Sequence, residues 1–355
     1  MLANNIKVNT RINYIYTLRT FFSIVDKKNL KDITRGDVET WVRHINEKYA
    51  PQTQDVFKIS IKKFFQWVYG MDEGYPEPVK WLKRKRESNL PNEILTTQDV
   101  LNLIKAANTD RDRALIHVLY ESAGRASEIL DLKIKDVILD DYGASITVNG
   151  KTGMRRLRLI DSVPAITAWL NSHPLRDNPN APLWHVHGYK KHSTGGLSYS
   201  SLESQLKTIK KRSDVKKPVN PHNFRHSRLT ELAREGFIES ELRIIAGWTP
   251  GSNMPAVYLH ISGADIDKKM LSKAGILADD EEMKSDDVLR PIKCPRCKQK
   301  NPAGSKFCNC GMVLDSRAAL NVEEAKLVIK AEDFKTMLAE MQAMRREMED
   351  LKSKV

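Results

Sequence analysis

The chain has 355 residues, 41% of them apolar, enough to bury two or three cores and to exclude a wholly disordered protein. Its 58 lysines and arginines against 45 acids leave +13, carried as +7 in residues 1–90, +6 in 91–275 and zero in 276–355. That distribution fits a binder of polyanions as well as a merely soluble basic surface, and it is not that of a membrane protein: the N-terminus is polar and no apolar run approaches about 18 residues. A cytoplasmic protein is the expectation.

In chain order, apolar positions first recur at helical spacing through Ile12, Ile15, Tyr16, Leu18, Phe21 and Phe22, and again through Val38, Trp41, Val42 and Ile45. Thr34 and Asp37 supply a cap and a first-turn acid for the second run. After Pro51 the pattern returns with Val56, Ile59, Ile61, Phe64, Phe65 and Trp67, and it stops at Gly70. Residues 1–79 therefore read as a small all-helical domain. Residues 80–92 are a basic linker, in which KWLKRKR places five basic residues in seven. Lys62 and Lys63 on the third helix, with Lys83, Arg84, Lys85 and Arg86 in the linker, are candidate DNA phosphate contacts; a solvated charge run is the alternative.

Residues 93–276 read as a second, mostly helical domain with one short sheet. Helical patterns cover Thr96 to Ala107, Asp112 to Ser122, Arg125 to Leu132, Val163 to Leu170, Leu202 to Ile209, Phe224 to Arg234 and Glu239 to Ala246. Between them, Ser145 to Val148 and Leu157 to Ile160 flank Asn149 and Gly150, a hairpin with Lys151 near its tip. The fold class is mainly α with a small sheet, α+β.

Six residues of this domain suit attack on a phosphate: Arg125, Lys151, His222, Arg225, Trp248 and Tyr258. A planar guanidinium holds two non-bridging oxygens at once, so two arginines from separate helices can clamp one phosphate. Glu128, one helical turn from Arg125, can buttress its guanidinium. A tyrosine hydroxyl is a poor nucleophile at neutral pH unless nearby cations favour the phenolate. A lysine on a hairpin tip can protonate the leaving sugar oxygen. Each residue alone has a blander reading, Arg125 and Glu128 as a helix-surface pair and Trp248 as core.

Order and flanking residues change this. YESAGRASEILDLKIKDV at 120–137, NGKTGMRRLRLI at 149–160, PHNFRHSRLTELAREG at 221–236 and IIAGWTPGSNMPAVYLHISGADI at 244–266 resemble, in the right order, the four boxes of the tyrosine recombinase (phage integrase) family. PQTQDVFKISIKKFFQWV at 51–68 is similar to its helical, SAM-like core-binding domain. The candidate subtype is the archaeal integrases. The resemblance implies a site-specific DNA recombinase that forms a 3'-phosphotyrosyl link through Tyr258, works as a tetramer on two double-stranded DNA sites, and needs neither ATP nor a catalytic metal. It makes Lys151 the general acid. Most members have histidine where this chain has Trp248, while a minority, Cre-like recombinases among them, have tryptophan. An indole N–H donates but cannot shuttle a proton, so proton transfer rests on Lys151 and His222. Tyr120, Tyr142, Tyr189 and Tyr199 lie outside the final box. A relaxing enzyme of the type IB topoisomerase kind and an inert DNA-binding protein are the alternatives.

The acidic stretch 278–287, within a linker over 277–291, precedes all four cysteines, Cys294, Cys297, Cys308 and Cys310, in a candidate ribbon over 292–315. Paired cysteines in two tight turns point to a structural zinc site closed by four thiolates, although the second pair is Cys-x-Cys rather than Cys-x-x-Cys. His185, His187 and His192 are irregularly spaced and read as a solvated loop. In 316–355, Phe334, Met337, Met341, Met344, Met348 and Leu351 alternate at three and four, as in a short coiled coil or a helix packed on its own protein.

Overall fold

The computed structural model describes residues 8–26, 29–83, 93–150, 152–186, 195–258, 270–271, 274 and 288–315. Arg84, Lys85, Arg86, Lys151, His187, Tyr189, His192, the acidic stretch and the C-terminal heptads lie outside them. The chain forms two compact units, residues 1–88 and 89–355.

The N-terminal unit is helical, with α1 (Val8–Phe22), α2 (Arg35–Lys48), α3 (Pro51–Val68) and the short α4 (Glu77–Lys80). Thr34 and Asp37 close a capping box at α2, and Pro51 opens α3 where no amide partner is required. The core is aromatic: Phe21 meets Trp41 edge-on at 5.4 Å and Phe65 at 5.8 Å. Ile12, Ile15 and Tyr16, read as helix-periodic, are on α1 but exposed. Lys62 is tied to the Leu82 carbonyl at 3.1 Å and lies over the Tyr75 ring, whereas Lys63 is exposed.

In the second unit α5 (Thr97–Ala106), α6 (Asp110–Glu121), α7 (Ala126–Leu130), α8 (Val163–Ser172), α9 (Tyr199–Arg212), α10 (Pro221–Arg234) and α11 (Glu239–Ala246) pack with one antiparallel sheet. The sheet has β1 (Val137–Asp140), β2 (Gly143–Gly150) and β3 (Gly153–Leu159) in sequence order, and the β2–β3 register closes at Gly150 opposite Gly153. The expected hairpin is present, and β1 adds a strand that the sequence reading lacks. Leu103, Leu115, Ile146, Trp169, Trp184 and Phe224 centre the main core, and the two indoles donate to the carbonyls of Leu183 and Ile129 at 2.7 Å. A smaller cluster of Ala123, Leu229, Leu232, Leu242 and Ala246 also buries Tyr258.

The cysteine segment does not stand apart. Its β4 (Ile292–Lys293) and β5 (Lys300–Asn301) pair antiparallel, and β5 contacts α8. Ala303 and Leu289 are buried within the main core, and a Cβ on Gly304 would meet the Lys105 side chain at 3.0 Å. Among the described residues no helix is long and apolar enough to cross a membrane.

Candidate active site

Loop geometry brings Arg125 to the site. Helix α6 ends at Glu121, and two residues on Ala123, with a left-handed backbone (φ 48), turns the chain so that Arg125 becomes the residue capping α7. The Arg125 amide donates to Glu128 Oε2 at 3.0 Å, its Nη1 to Glu128 Oε1 at 2.8 Å and its Nη2 to the Gly247 carbonyl at 2.9 Å. Glu128 is thus the buttress expected one turn away.

A second arginine shares that carboxylate. Arg155 on β3 donates from Nη1 to Glu128 Oε1 at 2.9 Å, from Nη2 to Oε2 at 2.7 Å, and from Nε to the Ile245 carbonyl at 3.1 Å. Burial pushes the Glu128 carboxyl up, but the bonds from Arg155 and Arg125 outweigh it and hold the group at about 2. The approach leaves no room for side chains: a Cβ on Gly150 would lie 2.1 Å from Glu128 Oε1, and one on Gly247, itself at φ 61, would lie 2.7 Å from Arg155 Nη1.

Helix α10 supplies the other half. Asn220 caps it by accepting from the Asn223 amide at 2.9 Å, with Pro221 at its first position. His222 and Arg225 then sit one turn apart. Arg225 is 6% exposed and, among the described residues, pairs with no carboxylate; its Nη1 and Nη2 donate to the carbonyls of Ala123 and Ala246 at 2.7 Å each. Burial, with the nearby Arg125 charge, lowers its pKa to about 10.

Tyr258 follows a single 3-10 turn at Pro255–Val257 and is 7% exposed. Its ring stacks on Trp248 at 5.4 Å, and the Arg225 guanidinium lies over the indole at 5.7 Å. Its hydroxyl contacts His226 Nδ1 at 2.5 Å, and His226 Nε2 meets His222 Nε2 at 2.7 Å. Burial pushes the phenol up to about 12, with Arg225 pulling the other way.

Arg125, His222, Arg225, Trp248 and Tyr258 line one cleft of about 730 Å³. Thr152, the neighbour of Lys151 in the chain, lines it as well and donates to the Gly247 carbonyl at 3.1 Å. Of the other tyrosines, Tyr120 donates to Glu231 at 2.6 Å, Tyr142 is exposed, and Tyr199 lies on the cleft wall. Sequence reasoning missed Arg155 and His226. The signal for Arg155 was present: it alternates with the buried Leu157 and Leu159 on one face of β3, and an inward arginine needs an acid.

Among the described residues one group of side chains could hold a metal, Cys294, Cys297, Cys308 and Cys310, whose sulfurs all lie within 4.8 Å of one another. Cys294 and Cys310 are 3.6 Å apart and Cys297 and Cys308 3.5 Å. A tetrahedral shell with metal–sulfur bonds of about 2.3 Å has edges of about 3.8 Å, so the donor set fits such an ion. His185 is not among the grouped side chains, and its carbonyl accepts from Arg111 at 2.8 Å.

Two family descriptions match the chain: the phage integrase family over residues 93–264 and the phage integrase N-terminal SAM-like domain over residues 1–73. A tyrosine recombinase of Thermosipho africanus (strain TCF52B) is 26% identical over 264 residues, 72% of this chain and 89% of that one. Tyrosine recombinase XerD of Ralstonia nicotianae (strain ATCC BAA-1114 / GMI1000) is 29% identical over 217 residues, covering 59% and 68%. Among solved structures, XerH site-specific recombinase bound to difH substrate aligns with a TM-score of 0.59 at 19% identity, over 76% of this chain and 80% of that one. The Tn1549 transposon integrase in complex with transposon right end DNA gives 0.59 at 17%, over 77% and 95%. These likenesses agree with the mainly helical fold read from the sequence.

Proposed function

Because the chain belongs to the phage integrase family of tyrosine recombinases, we propose that it is a site-specific DNA recombinase that cleaves and rejoins duplex DNA through Tyr258. The observation that carries this is Arg225: a buried guanidinium that donates to two carbonyls and, among the described residues, to no carboxylate, facing the same cleft as Arg125 and Tyr258. A scissile phosphate between the two arginines receives charge-assisted bonds on its non-bridging oxygens, which strengthen as the phosphorane forms. Tyr258 Oη attacks phosphorus, the bond to the 5' oxygen breaks, and Lys151 is the candidate donor of the proton that oxygen takes. The attack of a partner strand's 5' hydroxyl reverses these events, so the phosphodiester is conserved without ATP.

The DNA contacts proposed are Lys63 and the basic linker with Lys83, Arg84, Lys85 and Arg86; Lys62 is the weaker candidate, because its ammonium already has the Leu82 carbonyl. Assembly as a tetramer on two sites follows from the family. The four cysteines are proposed to hold one structural zinc ion, apart from the catalytic cleft.

The test is covalent capture. Wild-type protein is expected to form a denaturant-resistant adduct on nicked duplexes and to exchange strands between paired sites, and Tyr258→Phe to form none while still binding DNA. Relaxation without exchange would make the protein a topoisomerase, and no adduct at all an inert binder.

A further inference from the structure

Resting on the recombinase reading, we propose that His226 is a catalytic residue of strand cleavage: its Nδ1 takes the proton of Tyr258 while its Nε2 proton passes to His222. The two contacts that define the path are 2.5 Å from Tyr258 Oη to His226 Nδ1 and 2.7 Å between the Nε2 atoms of His226 and His222. They chain three side chains end to end, from the nucleophile to the wall of the cleft. The spacing of four residues on α10 places both imidazoles on one helix face, with ring centroids 4.1 Å apart.

The chemistry requires such a path. With its hydroxyl pushed up to about 12, Tyr258 is phenolate in about one molecule in 10⁵ at neutral pH. His226 is 6% exposed, so the proton cannot leave it directly to water. Burial, with the nearby His222 and Arg225, also keeps its pKa at about 4, so the proton cannot rest there. An imidazole that can neither release nor retain a proton is suited to pass it on. His222 also has its pKa lowered, by partial burial and the Arg225 charge, but it borders the open cleft, where the negative charge of a phosphate favours its imidazolium and lets it receive the proton.

The step balances. Before attack, Tyr258 O–H donates to His226 Nδ1, His226 Nε2–H donates to His222 Nε2, and His222 carries its own proton on Nδ1. As the Tyr258 oxygen bonds to phosphorus, the phenolic proton moves to His226 Nδ1 and the Nε2 proton moves to His222. His226 ends neutral in its other tautomer and His222 ends as imidazolium. The positive charge therefore arises on the cleft wall, where the phosphorane gains negative charge. Neither Trp248, which only donates, nor Arg225 can fill this role.

Wild-type adducts on sheared genomic DNA define cleavage sites, and a nicked duplex carrying one site, with oxygen or sulfur at the bridging 5' position, is the probe. Sulfur departs without a proton, so it relieves a missing acid and not a missing base. His226→Gln is expected to bind the duplex normally and to cleave about 10²-fold more slowly with either leaving atom, while Lys151→Ala is restored by sulfur. Added imidazole is expected to return at least about tenfold of the rate lost in His226→Ala. Cleavage by His226→Gln within about threefold of wild type, or its restoration by sulfur, overturns the relay. So does a His226→Ala defect that imidazole leaves unrepaired in a protein of lowered melting temperature, which marks a packing role. A wild-type protein that forms no adduct on any DNA overturns the recombinase reading, and the relay with it.

Discussion

Glu128 receives both terminal nitrogens of Arg155, at 2.9 and 2.7 Å, with the same two oxygens that orient Arg125. The Arg125 guanidinium is therefore aimed by a residue on the third strand, Arg155, that does not itself line the cleft. Arg155→Gln should leave Glu128 buried beside one partner, lower stability by about 3 kcal/mol and slow cleavage about tenfold. Arg155→Lys should repair little of this, because an ammonium cannot span two carboxylate oxygens. Urea unfolding and single-turnover cleavage measure both; full repair by lysine would contradict the forked pairing.

The same carboxylate sets an acid limit. Its folded pKa of about 2 lies below the ordinary 4.5, so it favours the folded state above the unfolded value. That contribution is lost as pH falls from about 4.5 through about 2. Glu128→Gln should be less stable at neutral pH and lack this component of acid sensitivity, read from urea midpoints across that window. A wild-type slope in the variant would refute the assignment.

Arg125 and Arg225 should separate stability from catalysis. Arg225→Ala leaves the buried carbonyls of Ala123 and Ala246 without donors, so it should cost about 2 kcal/mol of stability and about 10³ in cleavage rate. The Arg125 side chain is 31% exposed and its alanine variant should lose comparable cleavage with a smaller change in unfolding free energy. Equal stability losses in the two variants would mean that exposure does not distinguish them.

Most of the helices were legible because their apolar spacing and caps agree. Thr34 with Asp37 and Thr96 with Asp99 both form the reciprocal caps that mark a start. The first strand was not legible: Val137–Asp140 is an edge with Ile138 and Leu139 exposed, so no inward alternation announces it. At the site, Arg125, Glu128, Arg225 and Tyr258 were legible from their order, and the structure gathers them. His226 was not, since a histidine beside an arginine reads as part of the same helix until Tyr258 is seen to meet it. The docking of the cysteine segment was hidden for a different reason. It depends on single apolar residues, Leu289 and Ala303, too isolated to form a pattern.

On the zinc reading, that docking makes metal removal a whole-domain event. Chelation should release one zinc per chain and lower the melting temperature by several degrees, because Leu289 and Ala303 leave the main core with the ribbon. Atomic emission and thermal unfolding with and without chelator provide the check. An unchanged melting temperature after complete metal loss would mean that the ribbon folds without it.

Gly247→Ala should be disproportionately harmful for a surface-sized change. It places a Cβ at φ 61 and within 2.7 Å of Arg155 Nη1, so a loss of about 2 kcal/mol is expected, with slower cleavage. Gly251→Ala, where a Cβ meets nothing within 4 Å, is the control.

Tyr258 and Leu289 are both buried in the second unit, one in the small cluster and the other in the main core. The two ends of that stretch are thus held by different cores, so a change that loosens Leu289 from the main core leaves the packing around Tyr258 in its own cluster untouched.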